Sequence, residues 1–498
     1  MSKLKKLAGQ TAIYGLPSIL GRFLNYLLFP IYTSIFVPAE YGVVNDVYAL
    51  VAFIAVILPW GMETAYFRFT NKKEYTPEEV FRTSLFFVTL TSVLFILTTV
   101  FFTTDLAEAV RYADHPEYVI WMGFTLGFDA LSVIPLAQLR TQQKALKFAL
   151  INFASIGVNI GLNLFFVWYC ITVYRNGGNF ITDAVFDPNI GVGYIFIANL
   201  AQAIVKFILI APSYQGFSFQ INPSLMKKLF KYASPLVIAG FAGIINETLD
   251  RRLIRILLEP EMGTQAALAQ VGIYGAVYKL AVLITLFTQA FRYAAEPFFF
   301  AQDYEGNDRK VYADVMKWYT IVVTTIFLMV MLYLDLFKIL IRNSDYWVGL
   351  SIVPILLFAN IFLGWIYNLS VWYKMTHRTI YGAGLAILGA VITIGMNIYL
   401  IPKIGYVGAA WTTFSAYGIM ALASYLLGNH YFPIPYNLFK ILGYSVLAFG
   451  LWYLSTWIII DSEILHYLTS TTFLLAFLGV ILIWEWKDIK RILDRVNI

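Results

Sequence analysis

Fourteen apolar stretches of membrane-crossing length leave this 498-residue chain few folds to choose from. A run of about 20 apolar residues crosses a bilayer as a helix, because lipid offers no partner to backbone N–H and C=O groups. The stretches fall at roughly 11–36, 41–66, 81–104, 117–139, 148–171, 190–211, 232–257, 268–300, 314–334, 346–372, 379–401, 405–428, 439–460 and 465–485. Between them no loop is long enough to fold as a catalytic domain. Hydrophobic residues make up 60% and charged residues 13%, so the expected class is an all-α polytopic membrane protein with about 14 transmembrane helices. The opening Met1–Gln10 is short and basic, and the apolar run after it shows no small-residue cleavage site. It reads as a first membrane helix and not as a removable signal. The single cysteine, Cys170, excludes disulfides and paired redox chemistry.

The cations set an orientation. With the N-terminus inside, the inner loops hold 23 Lys and Arg and the outer loops only 5. That bias predicts both termini in the cytoplasm and an even number of crossings. The net charge of +6 therefore follows from topology and does not imply a nucleic-acid partner.

The chain also repeats itself. Tyr41-Gly42-Val43-Val44-Asn45-Asp46-Val47-Tyr48-Ala49-Leu50 returns as Val271-Gly272-Ile273-Tyr274-Gly275-Ala276-Val277-Tyr278-Lys279-Leu280, a shift of 230. Arg140, Lys144, Gly161 and Asn163 match Lys374, Arg378, Gly395 and Asn397 at a shift of 234, and Tyr14 and Pro17 match Tyr232 and Pro235. Each repeat holds six helices, an even number, so the halves share one orientation, as in the parallel repeats of secondary transporters. The expected organisation is a six-helix lobe over 1–220, a second over 221–430, and two extra helices with a cytoplasmic tail over 431–498. Corresponding helices broken by Pro or Gly point to a hinge or cavity lining. Pro17 and Gly21 in the first helix, with Pro235 and Gly240 in the seventh, fit that pattern, although Pro and Gly are also common in ordinary membrane helices.

Charges inside the spans carry the functional signal. Arg22 and Lys279 lie about halfway along their spans, where a cation costs at least ~3 kcal/mol unless water or a counter-ion relieves it. A cationic cavity for an anionic group such as phosphate is one reading, and a buried pair with Asp46, Glu63 or Asp129 is the other. Span seven carries Glu247, Asp250, Arg251 and Arg255; i,i+4 spacing puts Glu247, Arg251 and Arg255 on one face with Asp250 beside them. This set reads as an outer gate or lobe-contact network, or as structural ion pairs. Lys206, near a span end, can snorkel. Arg68 and Glu63, near the inner face, suit an entrance funnel for an anionic head group. No metal-ligand spacing, catalytic triad or phosphate-binding loop is visible, so no catalytic residue, metal or cofactor is expected.

The Gly15-Leu16-Pro17-Ser18 opening of a helix that runs to Tyr32, the Glu40-Tyr41-Gly42 start of span two, Asp250-Arg251, and Val271-Gly272-Ile273-Tyr274 form a set. With them the chain resembles the polysaccharide-transport (O-antigen flippase type) branch of the multidrug/oligosaccharidyl-lipid/polysaccharide exporter superfamily. The resemblance spans essentially the whole chain and implies a bacterial inner-membrane protein. Such a protein moves polyprenyl-diphosphate-linked oligosaccharide units to the periplasmic leaflet, with Arg22 and Lys279 at the positions of a cationic central cavity.

It implies membrane lipids and a polysaccharide polymerase with chain-length machinery as partners. Alternating access would drive transport, and coupling to a proton or sodium gradient would run through Asp46, Glu63, Asp129 or Glu247. A lipid II flippase would carry more arginines in the first lobe, and a drug or organic-cation exporter would favour acidic cavity residues. A membrane polymerase or glycosyltransferase would need a larger outer loop than any present here.

Overall fold

The computed structural model describes residues 21, 26–72, 74–215, 221–305, 309–458 and 462–496. They form helices and short connections, with no strand among the described residues. Twelve of these helices are long and apolar enough to cross a membrane. Two more complete the expected fourteen: the described part of the first, Tyr26–Ile35, and Tyr406–Tyr431. The latter is diluted by Gly408, Thr412, Thr413, Ser415 and Ser424. Arg22 and Pro17 lie outside the described residues.

Local chemistry sets the helix ends. Pro77 opens the Pro77–Phe101 helix while the Thr76 hydroxyl accepts from the Glu79 amide, and Pro223 opens Pro223–Met262 while the Asn222 side chain accepts from the Leu225 amide. Both use proline where its missing N–H costs nothing and a polar N-cap where an amide needs a partner. The second predicted span is two helices, Pro38–Ile57 and Met62–Thr70. Pro59 and the left-handed backbone at Trp60 (φ 46°) and Gly61 (φ 65°) break it. By contrast, the 40-residue Pro223–Met262 helix runs unbroken through Pro235 and Gly240, and Thr264–Glu305 is 42 residues long.

By contacts the chain divides into Met1–Gly275 and Ala276–Ile498. In the first unit, Met62, Ala65, Val80, Leu85, Val88, Ile134 and Ala137 pack with Leu225, Leu229 and Ala233 into one apolar core. One face of the N-terminal half of the 223–262 helix is thus buried against the helices beginning at Met62, Pro77 and Pro116. Where the 38–57 and 264–305 helices cross, no side chain separates the backbones. A Cβ on Gly42 would overlap the carbonyl oxygen of Leu268, and one on Gly272 would overlap that of Pro38. These two contacts are the same contact displaced by the 230-residue repeat.

In the second unit, the helices at 438–455 and 463–496 are fastened to Arg309–Leu332 by a buried charge cluster. Glu485, 1% exposed, accepts from Lys317 Nζ at 2.8 Å, Lys440 Nζ at 2.7 Å and Tyr444 Oη at 2.6 Å. Lys317 also reaches Asp488 at 2.6 Å. Lys317 and Lys440, counted above as inner-loop cations, are therefore ion partners of the terminal helix.

Candidate functional site

The densest buried charge in the first unit gathers around Asp46, eight residues into the 38–57 helix and 0% exposed. Its Oδ2 accepts from Arg252 Nη1 at 2.8 Å, Arg255 Nη1 at 2.7 Å and Tyr112 Oη at 2.8 Å. Among the described residues its Oδ1 accepts from none. The arginines use their second nitrogens to hold a neighbouring connection: Arg252 Nη2 donates to the Val110 carbonyl at 3.0 Å, and Arg255 Nη2 to that of Arg111 at 2.5 Å. The Arg255 guanidinium lies over the Tyr112 ring, 4.2 Å from its centroid. Tyr112 sits between membrane helices, and burial, with Asp46 beside it, pushes its hydroxyl pKa well above the ordinary value. It therefore stays protonated and donates. Arg111 in turn pairs with Glu259.

This arrangement ties three elements together: the 38–57 helix, the 110–112 connection and the C-terminal half of the 223–262 helix. Counting Asp46 against Arg252 and Arg255, the buried charge is positive in excess. A carboxylate facing two guanidinium groups costs several kcal/mol to desolvate, and the attraction offsets this only while all partners hold their geometry.

One turn away lies a second pair. Asp250 Oδ1 accepts from Arg251 Nη1 at 3.0 Å, and Asp250 Oδ2 accepts from the hydroxyl of Tyr274. The i,i+4 face expected from spacing is thus divided. Arg255 turns to Asp46 together with Arg252, Arg251 turns to Asp250, and Glu247 lends its backbone carbonyl to Arg251. Spacing alone missed Arg252 and Tyr112. The i,i+3 spacing of Arg252 and Arg255, which puts both on one face, was the available signal.

The remaining candidates are spread over the molecule. Glu63 accepts from Arg140 Nη1 at 2.6 Å. Asp129 accepts from Lys206 Nζ at 2.6 Å, so Lys206 turns to a carboxylate instead of snorkelling. Asp46, Glu63 and Asp129 thus each pair with a cation among the described residues. Arg68 is exposed and lies over Tyr232, 4.3 Å from the ring centroid. Nearby, Trp60 Nε1 donates to Ser234 Oγ at 3.2 Å, and Lys228 pairs with Glu74. That lysine holds the Glu74 carboxyl pKa below its ordinary range. Lys279 is half-buried in the 264–305 helix. Gly21 is buried, where a Cβ would meet the Ile156 side chain, and a Cβ on Gly240 would meet Val56 at 3.4 Å.

A family model described as "Polysaccharide biosynthesis protein" matches residues 7–302. The chain belongs to that family. Among solved structures it is similar to the lipid II flippase MurJ in an inward closed conformation. The TM-score there is 0.68 and the identity 14%, with 94% of this chain and 98% of that one covered. It is similar also to a multidrug resistance MATE family transporter of the MOP superfamily in an inward-facing conformation. Here the TM-score is 0.60 and the identity 16%, covering 84% of this chain and 94% of that one. The outward-facing form of such a transporter gives a TM-score of 0.55 at 16% identity, with 85% and 95% covered. No curated protein sequence gives a significant match. At these identities the likeness fixes the fold: this family member has the helical fold of MurJ and the MATE transporters.

Proposed function

We propose that this polysaccharide biosynthesis family member is a flippase for an anionic, lipid-linked oligosaccharide, carrying its diphosphate-sugar head group from the cytoplasmic to the periplasmic leaflet by alternating access. The observation that carries the reading is the family match on an exporter fold whose densest buried cluster in the first unit is positive in excess. Asp46 faces both Arg252 and Arg255 in that cluster. In this reading the Asp46 cluster and the Asp250–Arg251 pair hold the outer side shut while Arg22 and Lys279 receive the diphosphate from within. Arg68 and its neighbours near the inner face form the approach. Outward movement of negative charge gains about 2.3 kcal/mol per charge per 100 mV of inside-negative potential. Proton or sodium coupling through Asp46, Glu63 or Asp129 would add to that drive. The setting is a bacterial inner membrane with both termini cytoplasmic, and the product passes to a polysaccharide polymerase.

The test is translocation in proteoliposomes loaded with fluorescent polyprenyl-diphosphate oligosaccharide, lipid II or a cationic dye. Transport of the first lipid by the wild-type protein and its loss in Arg22→Ala and Lys279→Ala, with normal insertion, is the expected result. Wild-type rates in both variants would remove the cationic cavity, and transport of the dye alone would replace a flippase with a drug exporter.

A further inference from the structure

In the first unit a chain of hydrogen bonds links four membrane helices and ends at an accessible tyrosine. Tyr32 Oη donates to Asn163 Oδ1 at 2.8 Å. Asn163 Nδ2 donates to the Asn159 carbonyl at 2.9 Å and approaches Asn159 Oδ1 at 3.3 Å. Asn159 Nδ2 donates to Asn199 Oδ1 at 2.9 Å, and Asn199 Nδ2 donates to Tyr48 Oη at 2.7 Å. Asn159 and Asn163 are 3% and 1% exposed.

The polarity of this relay is fixed by one backbone group. The Asn159 carbonyl can only accept, so the Asn163 amide nitrogen must face it and its oxygen must face Tyr32. Every later amide is then oriented in turn, and the last link delivers a proton donor onto the Tyr48 oxygen. Tyr48 is left with its own O–H to give, and no acceptor for it is found among the described residues. Chains of this kind polarise each member, so the terminal hydroxyl is a stronger donor than an isolated phenol. The relay turns at Asn163, where the helix changes to π-helical winding over Asn163–Cys170, a local distortion often found at functional sites. Tyr48 keeps 38% of its surface accessible, so its hydroxyl can be reached from outside the relay. Its ring is backed edge-on by Phe196.

A neutral, preorganised donor on an aromatic ring of a membrane helix fits neither a diphosphate, which calls for cations, nor a lipid tail, which calls for no polar group. It fits a sugar, whose ring packs on an aromatic face and whose oxygens accept hydrogen bonds. We infer that Tyr48, held by Asn199 and the Asn159–Asn163–Tyr32 relay, is a subsite for a neutral sugar of the transported head group. This rests on the flippase reading and assigns to it a contact distinct from the cationic one.

The experiment compares polyprenyl diphosphates carrying no sugar, one hexose or four hexoses in the same proteoliposomes. Tyr48→Phe, which keeps the ring and removes the donor, is expected to raise KM for the four-hexose lipid about 3- to 10-fold, the range of one neutral hydrogen bond. The sugar-free lipid should change less than twofold. Asn163→Leu, which breaks the relay upstream, should shift KM in the same direction and by less. A Tyr48→Phe protein that treats all three lipids alike, at wild-type rates or uniformly slowed, overturns the subsite while leaving the flippase standing. A wild-type protein that moves none of them removes the parent reading and the subsite with it.

Discussion

Gly42 and Gly272 occupy the same place in two copies of one repeat, and each lies against the backbone carbonyl that its counterpart's repeat supplies, Leu268 for one and Pro38 for the other. A duplicated sequence has thus produced a duplicated contact between the 38–57 and 264–305 helices. Backbones approach this closely only where neither residue has a side chain.

Substitution at either glycine should therefore separate the two helices. Gly42→Val or Gly272→Val is expected to cost at least the 1–3 kcal/mol typical of overpacking, read as a lower unfolding temperature in detergent. Gly157→Ala and Gly384→Ala, where a Cβ meets nothing within 4 Å, serve as controls and should leave that temperature nearly unchanged.

Removing Asp46 should destabilise far more than its size suggests. Asp46→Asn leaves Arg252 and Arg255 buried without their shared anion, a loss of about 3–5 kcal/mol by the usual cost of breaking a buried pair. Arg255→Met should cost less, because Arg252 and Tyr112 still satisfy Asp46 Oδ2. Denaturation of the purified variants checks the order, and equal losses would mean that the cluster is not cooperative.

Glu485 gives a parallel case in the second unit. Glu485→Gln should leave Lys317 and Lys440 poorly compensated and loosen the 463–496 helix. Faster proteolytic release of the 463–496 helix at constant protein concentration would report it. Lys440→Met should have a smaller effect, since Lys440 is 27% exposed at its side chain and Lys317 only 7%.

The turn at Gly61 offers a backbone test. At φ 65° an added Cβ is strained by roughly 1–2 kcal/mol, so Gly61→Ala should lower stability modestly, with the Trp60–Ser234 hydrogen bond weakened. An unchanged melting temperature would show that the break after Pro59 tolerates other geometries.

Much of this architecture was legible because its causes are local. Apolar runs set by bilayer thickness locate most of the described helices within a few residues, although Pro223–Met262 starts nine residues before its run and Glu463–Val496 ends eleven after; proline or asparagine marks many of the starts. Even the Tyr406–Tyr431 helix, too rich in glycine, serine and threonine to stand out by apolarity, was readable between its neighbours. The site was less legible, because its decisive partners are distant in sequence. Asp46 meets Arg252 and Arg255 across more than 200 residues, and spacing along the 223–262 helix could say only which residues share a face. Spacing also joined Glu247, Arg251 and Arg255, whereas packing divides them between two carboxylates. The asparagine relay gave no signal at all in the sequence. Asn159, Asn163 and Asn199 look like scattered polar residues until two helices bring them together.

The crossing at Gly272 sits close to one end of a helix that continues for some 33 further residues. At 1.5 Å per residue that is an arm of about 50 Å. An unbroken helix of that length needs no joint along its course to outreach the roughly 30 Å hydrocarbon core of a bilayer.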